Sequence, residues 1–356
     1  MCAMNQAVVI DSGSGVTRAG LAGDAEPQAV FAEAVAGSIV GDDADHRSDL
    51  DVSHPTAGDG VADWDAMEQL WRHALIDRLA VDPTERAVLL ATPPLQSRQD
   101  RERAILLMFD TFEVPACYLA VDAMTALLGT GRTTGVVAHI GAYATHVTPV
   151  AGGYPVPHAT LRLDFGDRHL VDHLAELLAK RGIGVRTPEE RAAVTHLLHE
   201  HGSVAEDMAE AMADARTSHT VELTDGMTAE IGSERFRAAE PLFHPEQIEV
   251  ADGGLPATTV RAIGNCPTAV HPTLYGNVVL AGPLAALPGL RERMQKEIET
   301  HAPQGTEVVV EVPAAAPHLT WTGAAKLAAM PQFEAMFITR DEYVEHGPGI
   351  VHEKCM

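Results

Sequence analysis

Short apolar runs alternate with segments of helical periodicity along the first third of the chain. Residues 7–10 and the segment that ends at Ala22 flank a turn rich in glycine and serine. This pattern predicts a β-hairpin, which we call the first hairpin. Apolar residues at helical spacing predict a helix over 64–79, and the apolar run 87–91 predicts a strand. Ser97 then caps a further predicted helix, and strands that alternate with helices indicate an α/β fold.

The same strand-turn-strand pattern returns at residue 135, where the apolar run 135–138 leads into a turn and then into a second apolar segment. Recurrence of one pattern within a chain predicts an internal duplication, and we call this copy the second hairpin. The remaining predicted elements are a helix over 170–181, a helical stretch over 188–215, a β-hairpin around Asp225 and Gly226, a strand over 278–281 and a helix over 288–299.

Two polar stretches invite a metal-binding interpretation that their spacing does not support. Residues 37–60 are rich in Asp, His, Ser and Gly, but they lack the ordered glycine turn and terminal glutamate of a calcium loop. They predict an exposed loop. His196, His199 and His201 lie on one helical stretch with no cysteine or second histidine pair nearby, which indicates a surface helix.

Composition narrows the class of protein. The 356 residues carry a net charge of -25, which disfavours binding to nucleic-acid phosphates and to anionic lipid surfaces. A chain of this length is expected to form two domains. The four scattered cysteines fit neither a disulfide framework nor a zinc cluster, and no apolar run is long enough to span a bilayer. These features predict a protein of the cytoplasm or nucleus.

The turn of the first hairpin, residues 11–15, combines two glycines, two hydroxyl side chains and one carboxylate. Glycine can take a positive φ, which lets backbone N–H groups point at a bound anion. The turn therefore suits phosphate binding, although ordinary turn chemistry is the commoner origin of such residues.

Several strings resemble actin closely, and the resemblance covers essentially the whole chain. They are RAGLAGD at 18–24, GRTTG at 131–135, PHA at 157–159, LRLD at 161–164, RMQKE at 293–297 and GPGIVH at 347–352. The resemblance implies a two-lobed α/β fold, a ribonuclease H-like duplication that closes on ATP and a divalent metal in a central nucleotide cleft. The implied boundaries are 1–126 with 323–356 for the small lobe, its outer part shortened around 33–63, and 127–322 for the large lobe.

By this resemblance the first hairpin keeps the family's phosphate-binding turn, and Asp11 is the one carboxylate retained as a weak metal ligand. Arg18 replaces a phosphate-contacting lysine and keeps its charge. Asp122 matches a water-orienting glutamine of the family. A functionally neutral substitution is favoured over the interpretation that Asp122 acts as a substitute base. The nucleotide-binding positions of this degenerate site are Asp11, Ser12, Gly13, Ser14, Gly15, Arg18, Asp122, Gly141 and Gly282.

The second hairpin departs from the family. The family pattern Asp-x-Gly-Asp-Gly is replaced here by His139, Ile140, Gly141, Ala142 and Tyr143. A hard divalent cation needs anionic oxygen ligands, so the loss of both carboxylates weakens the metal site. The side chain of Tyr143 must also occupy space that a family glycine leaves for phosphate.

The nucleoside side is altered too. The family's Gly-Gly-Thr loop becomes Gly282, Pro283 and Leu284, which removes a backbone N–H. Leu198 and His199 stand at the lysine and glutamate positions beside the base. These changes predict that the protein is not an ATP-hydrolysing enzyme, and they make the implied cofactor, ATP or ADP with Mg²⁺, a weakly held ligand.

The resemblance also bears on assembly. The loop that inserts into the next subunit of a filament is shortened between Gly37 and Gly60, and residues 247–250 place charge where the family buries apolar residues. Both changes predict that ordinary homopolymers do not form. The chain matches actin better at the groove that receives partner helices in actin. The alternative is that these residues are retained only because they pack the fold. The groove consists of Leu128, Gly131, Thr133, Tyr154, Thr322, Lys326, Leu327 and Met330.

We therefore expect a divergent actin-like protein of the cytoplasm and cytoskeleton, or of the nucleus, that scaffolds, caps or docks to cytoskeletal or actin-binding proteins. The most diverged family members are mostly testis or sperm proteins. The alternative is a working ATPase switch that co-assembles with actin or related proteins, with Asp11 and Asp122 on the metal and His139 orienting water. The actin-type string at 131–135 disfavours a third class, the small-molecule kinases.

Overall fold

A computed structural model describes residues 5–13, 15–45, 47, 50–214, 219–224, 227–251 and 253–355. They fall into two compact units. The first unit spans 1–134, 150–160 and 318–356, and the second spans 135–149 and 161–317. Residues 127–134, 150–160 and 318–322, which the sequence analysis assigned to the large lobe, group with the first unit.

The first unit is built on a mixed sheet. Numbered in chain order, its strands are β1 (Asn5–Gly13), β2 (Val16–Leu21), β3 (Ala29–Ala32), β4 (Val35–Ala36), β5 (Ile39–Val40), β6 (Thr56–Ala57), β7 (Gly60–Val61), β8 (Arg86–Thr92), β9 (Ala116–Val121), β12 (Tyr154–Pro155) and β18 (Ile338–Thr339). Six of them form a sheet in the order β18-β9-β8-β1-β2-β3. Strands β1, β8 and β9 are parallel, and β2 and β3 extend the sheet antiparallel from β1.

The second unit contains β10 (Gly135–Ile140), β11 (Thr145–Ala151), β13 (Leu161–Leu163), β14 (His219–Thr224), β15 (Met227–Ile231), β16 (Val278–Ala281) and β17 (Val310–Glu311). The last two residues of β11 fall in the first unit, where they pair with β12. The sheet runs β11-β10-β16-β17, and β13 pairs with β11. Strands β14 and β15 form the hairpin predicted around residues 225–226, which themselves lie outside the described residues.

The two sheets confirm the internal duplication. In the first unit β1 pairs with β2 of its own hairpin and, in parallel, with β8. In the second unit β10 likewise pairs with β11 of its hairpin and, in parallel, with β16. The outer strands β3 and β13 occupy equivalent antiparallel positions. Each hairpin therefore lies on a central parallel strand whose carboxyl end points to one sheet edge.

Helices flank both sheets. Those of the first unit are α1 (Asp42–Asp45), α2 (Trp64–Arg72), α3 (Arg98–Leu106), α4 (Asp122–Gly129), α12 (Leu319–Ala328), α13 (Arg340–His346) and α14 (Val351–Lys354). Those of the second unit are α5 (Asp167–Ala179), α6 (Pro188–His201), α7 (Met208–Asp214), α8 (Glu234–Arg237), α9 (Gly254–Gly264), α10 (His271–Tyr275) and α11 (Leu290–His301). The Ser97 side chain caps α3 by accepting a hydrogen bond from the Asp100 N–H, as predicted.

Two sequence predictions were wrong in detail. The helical stretch over 188–215 is two helices, because α6 ends at Gly202, where a Cβ would lie 2.2 Å from the Leu198 carbonyl oxygen. The segment 37–60 is not a featureless exposed loop. It forms short paired strands over a small core of buried alanines, Ala34, Ala36 and Ala44.

Candidate functional site

The first hairpin is tighter than the sequence indicated. Strand β1 continues through Gly13, so Asp11, which was assigned to the turn, is a strand residue paired with Arg18. Only residues 14–15 connect the strands, and Ser14 lies outside the described residues. Gly15 has a φ of 121°, a conformation that side chains rarely adopt, and so this position requires glycine.

The charged and polar groups of the first hairpin contact each other and α2. Asp11 is buried, and its Oδ2 atom lies 3.7 Å from Nη1 of Arg18. The Trp71 indole Nε1–H donates to the Ser12 hydroxyl over 3.2 Å. Asp11 therefore neutralises part of the positive charge that Arg18 would present to an anion.

Asp122 lies at the same sheet edge as Asp11. Strands β1, β8 and β9 are parallel, with Asp11 in register with Ala91 and Ala91 in register with Ala120. Asp122 begins α4 directly after β9, and its carboxylate is buried. Ala120, two residues before Asp122, lies two strand intervals from Asp11, about 10 Å. The first unit thus places two carboxylates on one edge without bringing them into contact through their backbones.

The second hairpin is held by a backbone hydrogen bond and by a contact from α5. The Gly141 N–H donates to the Ala144 carbonyl oxygen over 3.0 Å. The guanidinium carbon of Arg168, in the first turn of α5, lies 4.9 Å from the centroid of the Tyr143 ring. This is a cation–π contact. The Tyr143 ring therefore packs against the start of α5.

Gly282 lies against the second hairpin. Its φ is 98°, and a Cβ would lie 2.1 Å from the Ile140 carbonyl oxygen and 3.0 Å from Cδ2 of His139. Its N–H donates to the Ala316 carbonyl oxygen over 3.0 Å, and the next residue, Pro283, has no N–H to offer. The structure therefore brings Gly141, His139 and Gly282 together within the second unit.

Sequence reasoning missed Gly166, which belongs to the same cluster. A Cβ at Gly166 would lie 2.2 Å from the Gly141 carbonyl oxygen, so glycine allows the start of α5 to approach the second hairpin. The N–H groups of Asp167 and Arg168 then donate to the carbonyl oxygens of Gly141 and Ala142, both over 2.9 Å. A glycine between a strand and a helix was the available signal.

His199 is not a simple surface residue. Its Nε2 lies 3.0 Å and 3.1 Å from the two carboxylate oxygens of Asp167, which is buried at the start of α5. Burial acts to lower the pKa of His199, but the hydrogen bond and the charge of Asp167 raise the pKa above its ordinary value. The pair joins α6 to α5 beside the second hairpin.

This pair predicts a stability difference that depends on pH. Because the folded pKa of His199 is raised, its contribution is complete below the unfolded pKa of about 6.5 and is lost as pH rises through the folded value. His199→Gln should cost about 1.5 to 3 kcal/mol at acidic pH, the range for hydrogen bonds to charged groups, and less at pH 9. Chemical denaturation at both pH values measures it.

The exposed His201, on the same helix, gives the matched control His201→Gln. We expect its effect to be near zero at both pH values. A cost for His199→Gln that is equal at acidic and alkaline pH would contradict the prediction, because a neutral hydrogen bond alone would then account for it.

The second hairpin offers no carboxylate to a magnesium ion, since positions 139–143 contain none. Within the described ranges, no group of three or more His, Cys, Asp or Glu side chains could hold a metal ion. The N–H groups of Gly15, Gly141 and Gly282, three assigned phosphate positions, are each donated to an acceptor of the protein itself. We therefore derive no chemical step through a bound nucleotide.

The groove residues all belong to the first unit. Tyr154, Gly131, Thr133 and Lys326 are exposed, Leu128 and Met330 are half-buried, and Thr322 and Leu327 are buried. Lys326 donates from Nζ to the Gly129 carbonyl oxygen over 2.6 Å. It therefore places its cation at the carboxyl end of α4, where the helix dipole favours it.

Cys355, close to the end of the chain, is not an exposed thiol. It is buried, and its Sγ accepts a hydrogen bond from the Leu119 N–H over 3.4 Å. Burial raises the pKa of the thiol to about 11, so the nucleophilic thiolate is scarce at neutral pH.

None of the helices in the described part of the chain has the length and apolar character needed to cross a membrane. The duplicated sheets, each with a hairpin on its central parallel strand, define a two-unit α/β protein. A family model described as actin matches residues 2–196 and 185–356. The chain belongs to the actin family.

Proposed function

We propose that this actin-family protein is a divergent cytoskeletal scaffold that does not hydrolyse ATP. The observation that carries the proposal is the composition of the second hairpin. Its positions 139–143 contain no carboxylate, and Tyr143 packs against Arg168 beside it. A divalent metal at a phosphate needs anionic oxygen ligands, and this hairpin offers an imidazole instead.

We further propose that the protein does not form ordinary filaments. In the segment 37–60, the short strands β5 and β6 and the buried Ala44 stand where the family has a long inserting loop. Gln247 and Glu249 are exposed. They belong to the loop whose family counterpart is buried between the two strands of a filament. A net charge of -25 adds repulsion between identical subunits.

The partners proposed are cytoskeletal or actin-binding proteins of the cytoplasm. The support is membership of the actin family together with the groove, whose Tyr154 side chain is 58% exposed and available for contact. A large aromatic side chain on an otherwise ordered surface is the residue type that anchors protein interfaces.

The test mixes purified protein with ATP and Mg²⁺ and measures phosphate release and sedimentable polymer, with actin as the positive control. We expect neither signal, and we expect the protein to pellet with preformed actin filaments. Denaturing the protein and identifying any released nucleotide completes the assay. Robust phosphate release or polymer would overturn the proposal in favour of the ATPase switch. Under that alternative, Asp122→Ala must reduce turnover.

A further inference from the structure

Glu33 is a buried carboxylate beside the tip of the first hairpin. It directly follows β3, which pairs with β2, and its side chain is 1% exposed. Its backbone N–H donates to the Gly15 carbonyl oxygen over 3.0 Å, so the two residues are held together through the main chain. Nothing in the sequence analysis singled out this residue.

The carboxylate of Glu33 accepts three hydrogen bonds. The Gly15 N–H donates to Oε2 over 2.9 Å, the Thr56 N–H donates to Oε1 over 2.7 Å, and the Thr56 hydroxyl donates to Oε2 over 2.9 Å. Nδ1 of His54 lies 2.8 Å from the Glu33 carbonyl oxygen. Glu33 thereby connects the hairpin tip, the end of β3 and the short strand β6.

This arrangement is an anion bound by a glycine turn, with the anion supplied by the chain. Backbone N–H groups in a glycine-rich turn bind phosphate because they present partial positive charge in a concave geometry. An N–H that donates to a carboxylate over 2.9 Å is not available to a phosphate oxygen. The carboxylate would also repel a phosphate brought to the same turn.

We propose that Glu33 is an internal competitor for phosphate, a residue that determines whether the first hairpin binds polyphosphate. This inference rests on the proposed function, because it explains how a hairpin that keeps Asp11, Gly13, Gly15 and Arg18 coexists with a chain that does not use ATP. Glu33 closes the hairpin by occupying its donor, whereas the second hairpin has lost its acidic ligands outright.

The experiment measures binding of inorganic pyrophosphate and of metal-free ATP by calorimetry. Glu33→Ser removes both carboxylate oxygens and the charge, and with them the acceptor that the Gly15 N–H contacts. We expect it to bind pyrophosphate at least tenfold more tightly than the wild type. Glu33→Gln keeps an acceptor oxygen but loses the charge, and its affinity should fall between the two. The matched control is Glu85→Gln, which removes one exposed carboxylate from the same unit and should bind as the wild type does.

A second measurement on the wild-type protein keeps the proposal testable if the variants do not fold. The Gly15 amide should exchange slowly with solvent, and millimolar pyrophosphate should leave its exchange rate unchanged. Added protection of residues 11–18 by pyrophosphate would overturn the proposal, as would equal pyrophosphate affinities of Glu33→Ser and the wild type.

The outcomes separate this inference from the function on which it rests. Wild-type ATP hydrolysis would sink the proposed function whatever Glu33 does. If the wild type does not hydrolyse ATP and the folded Glu33→Ser variant binds pyrophosphate no more tightly than the wild type, the proposed function stands. The proposed role of Glu33 is then wrong.

Discussion

Gly323→Ala should lower the free energy of unfolding of the first unit by about 2 to 3 kcal/mol, the range for forced overpacking. Helices α4 and α12 approach so closely at this position that a Cβ would lie 1.7 Å from the Thr125 carbonyl oxygen and 2.9 Å from the Gly129 nitrogen. Both obstructing atoms are backbone, so the helices must separate. The higher helix propensity of alanine, worth about 1 kcal/mol, offsets only part of this cost.

The measurement is chemical denaturation followed by tryptophan fluorescence. All three tryptophans, Trp64, Trp71 and Trp321, belong to the first unit, and Trp321 lies on α12 itself. The matched control is Gly349→Ala, an exposed glycine of the first unit in the short helical turn over residues 348–350, with no atom within 4 Å of the added methyl group. We expect the control to be neutral or slightly stabilising. An equally small effect of Gly323→Ala would mean that α4 and α12 are not packed as closely as described.

This helix contact also positions the groove. Leu128 lies on α4, and Thr322, Lys326 and Leu327 lie on α12. The hydrogen bond from Lys326 to the Gly129 carbonyl oxygen crosses the same contact. The groove is therefore built on backbone packing, which explains why its residues would persist whether or not a partner uses them.

The elements that the sequence predicted are those fixed by local chemistry. The apolar runs 87–91 and 278–281, which end near Gly or Pro, are strands in the structure. Such strands can be predicted because the signal lies entirely in their own residues and the residues that flank them. The repeat of one hairpin pattern at residue 135 was likewise visible in the sequence, and the two sheets share its order.

The parts that were missed depend on contacts between residues distant in sequence. The bond from Gly15 to Glu33 spans 18 positions, and the pair of Asp167 and His199 spans 32. The sequence does not indicate which residue pairs with Glu33 or His199, because a carboxylate or imidazole in a polar segment is usually exposed to solvent. The burial of Cys355 likewise depends on a distant contact, because its Sγ accepts a hydrogen bond from Leu119 on β9, far away in the chain.

The candidate site shows the same division. Residue matching assigned Asp11, Gly15, Gly141 and Gly282 to phosphate positions, and the structure gives each of them a defined environment within its own unit. Matching residues to the family could not show which acceptor each backbone N–H group contacts. The N–H groups of the three glycines are directed at Glu33, Ala144 and Ala316, and this direction, rather than residue identity, bears on whether a phosphate can be held.

Arg293→Ala should destabilise the second unit by about 3 to 5 kcal/mol, the range for breaking a buried ion pair on one side. The guanidinium donates to both carboxylate oxygens of Glu240, over 3.2 Å and 3.1 Å, and to Glu297 over 2.6 Å. It also donates to the Ala205 carbonyl oxygen and lies 4.3 Å from the centroid of the Phe243 ring. Truncation leaves Glu240, which is 4% exposed, as a buried charge without this partner.

The measurement compares far-ultraviolet circular dichroism with tryptophan fluorescence, since the tryptophans report only on the first unit. In Arg293→Ala the circular dichroism transition should move to lower denaturant and separate from the fluorescence transition. Arg291→Ala is the matched control, because that side chain is 49% exposed and its pair with Glu292 should contribute less than about 1 kcal/mol. The double variant Arg293→Met with Glu240→Leu removes both charges and should recover stability. If it is as unstable as Arg293→Ala, lost packing on Phe243 rather than the unpaired carboxylate carries the effect.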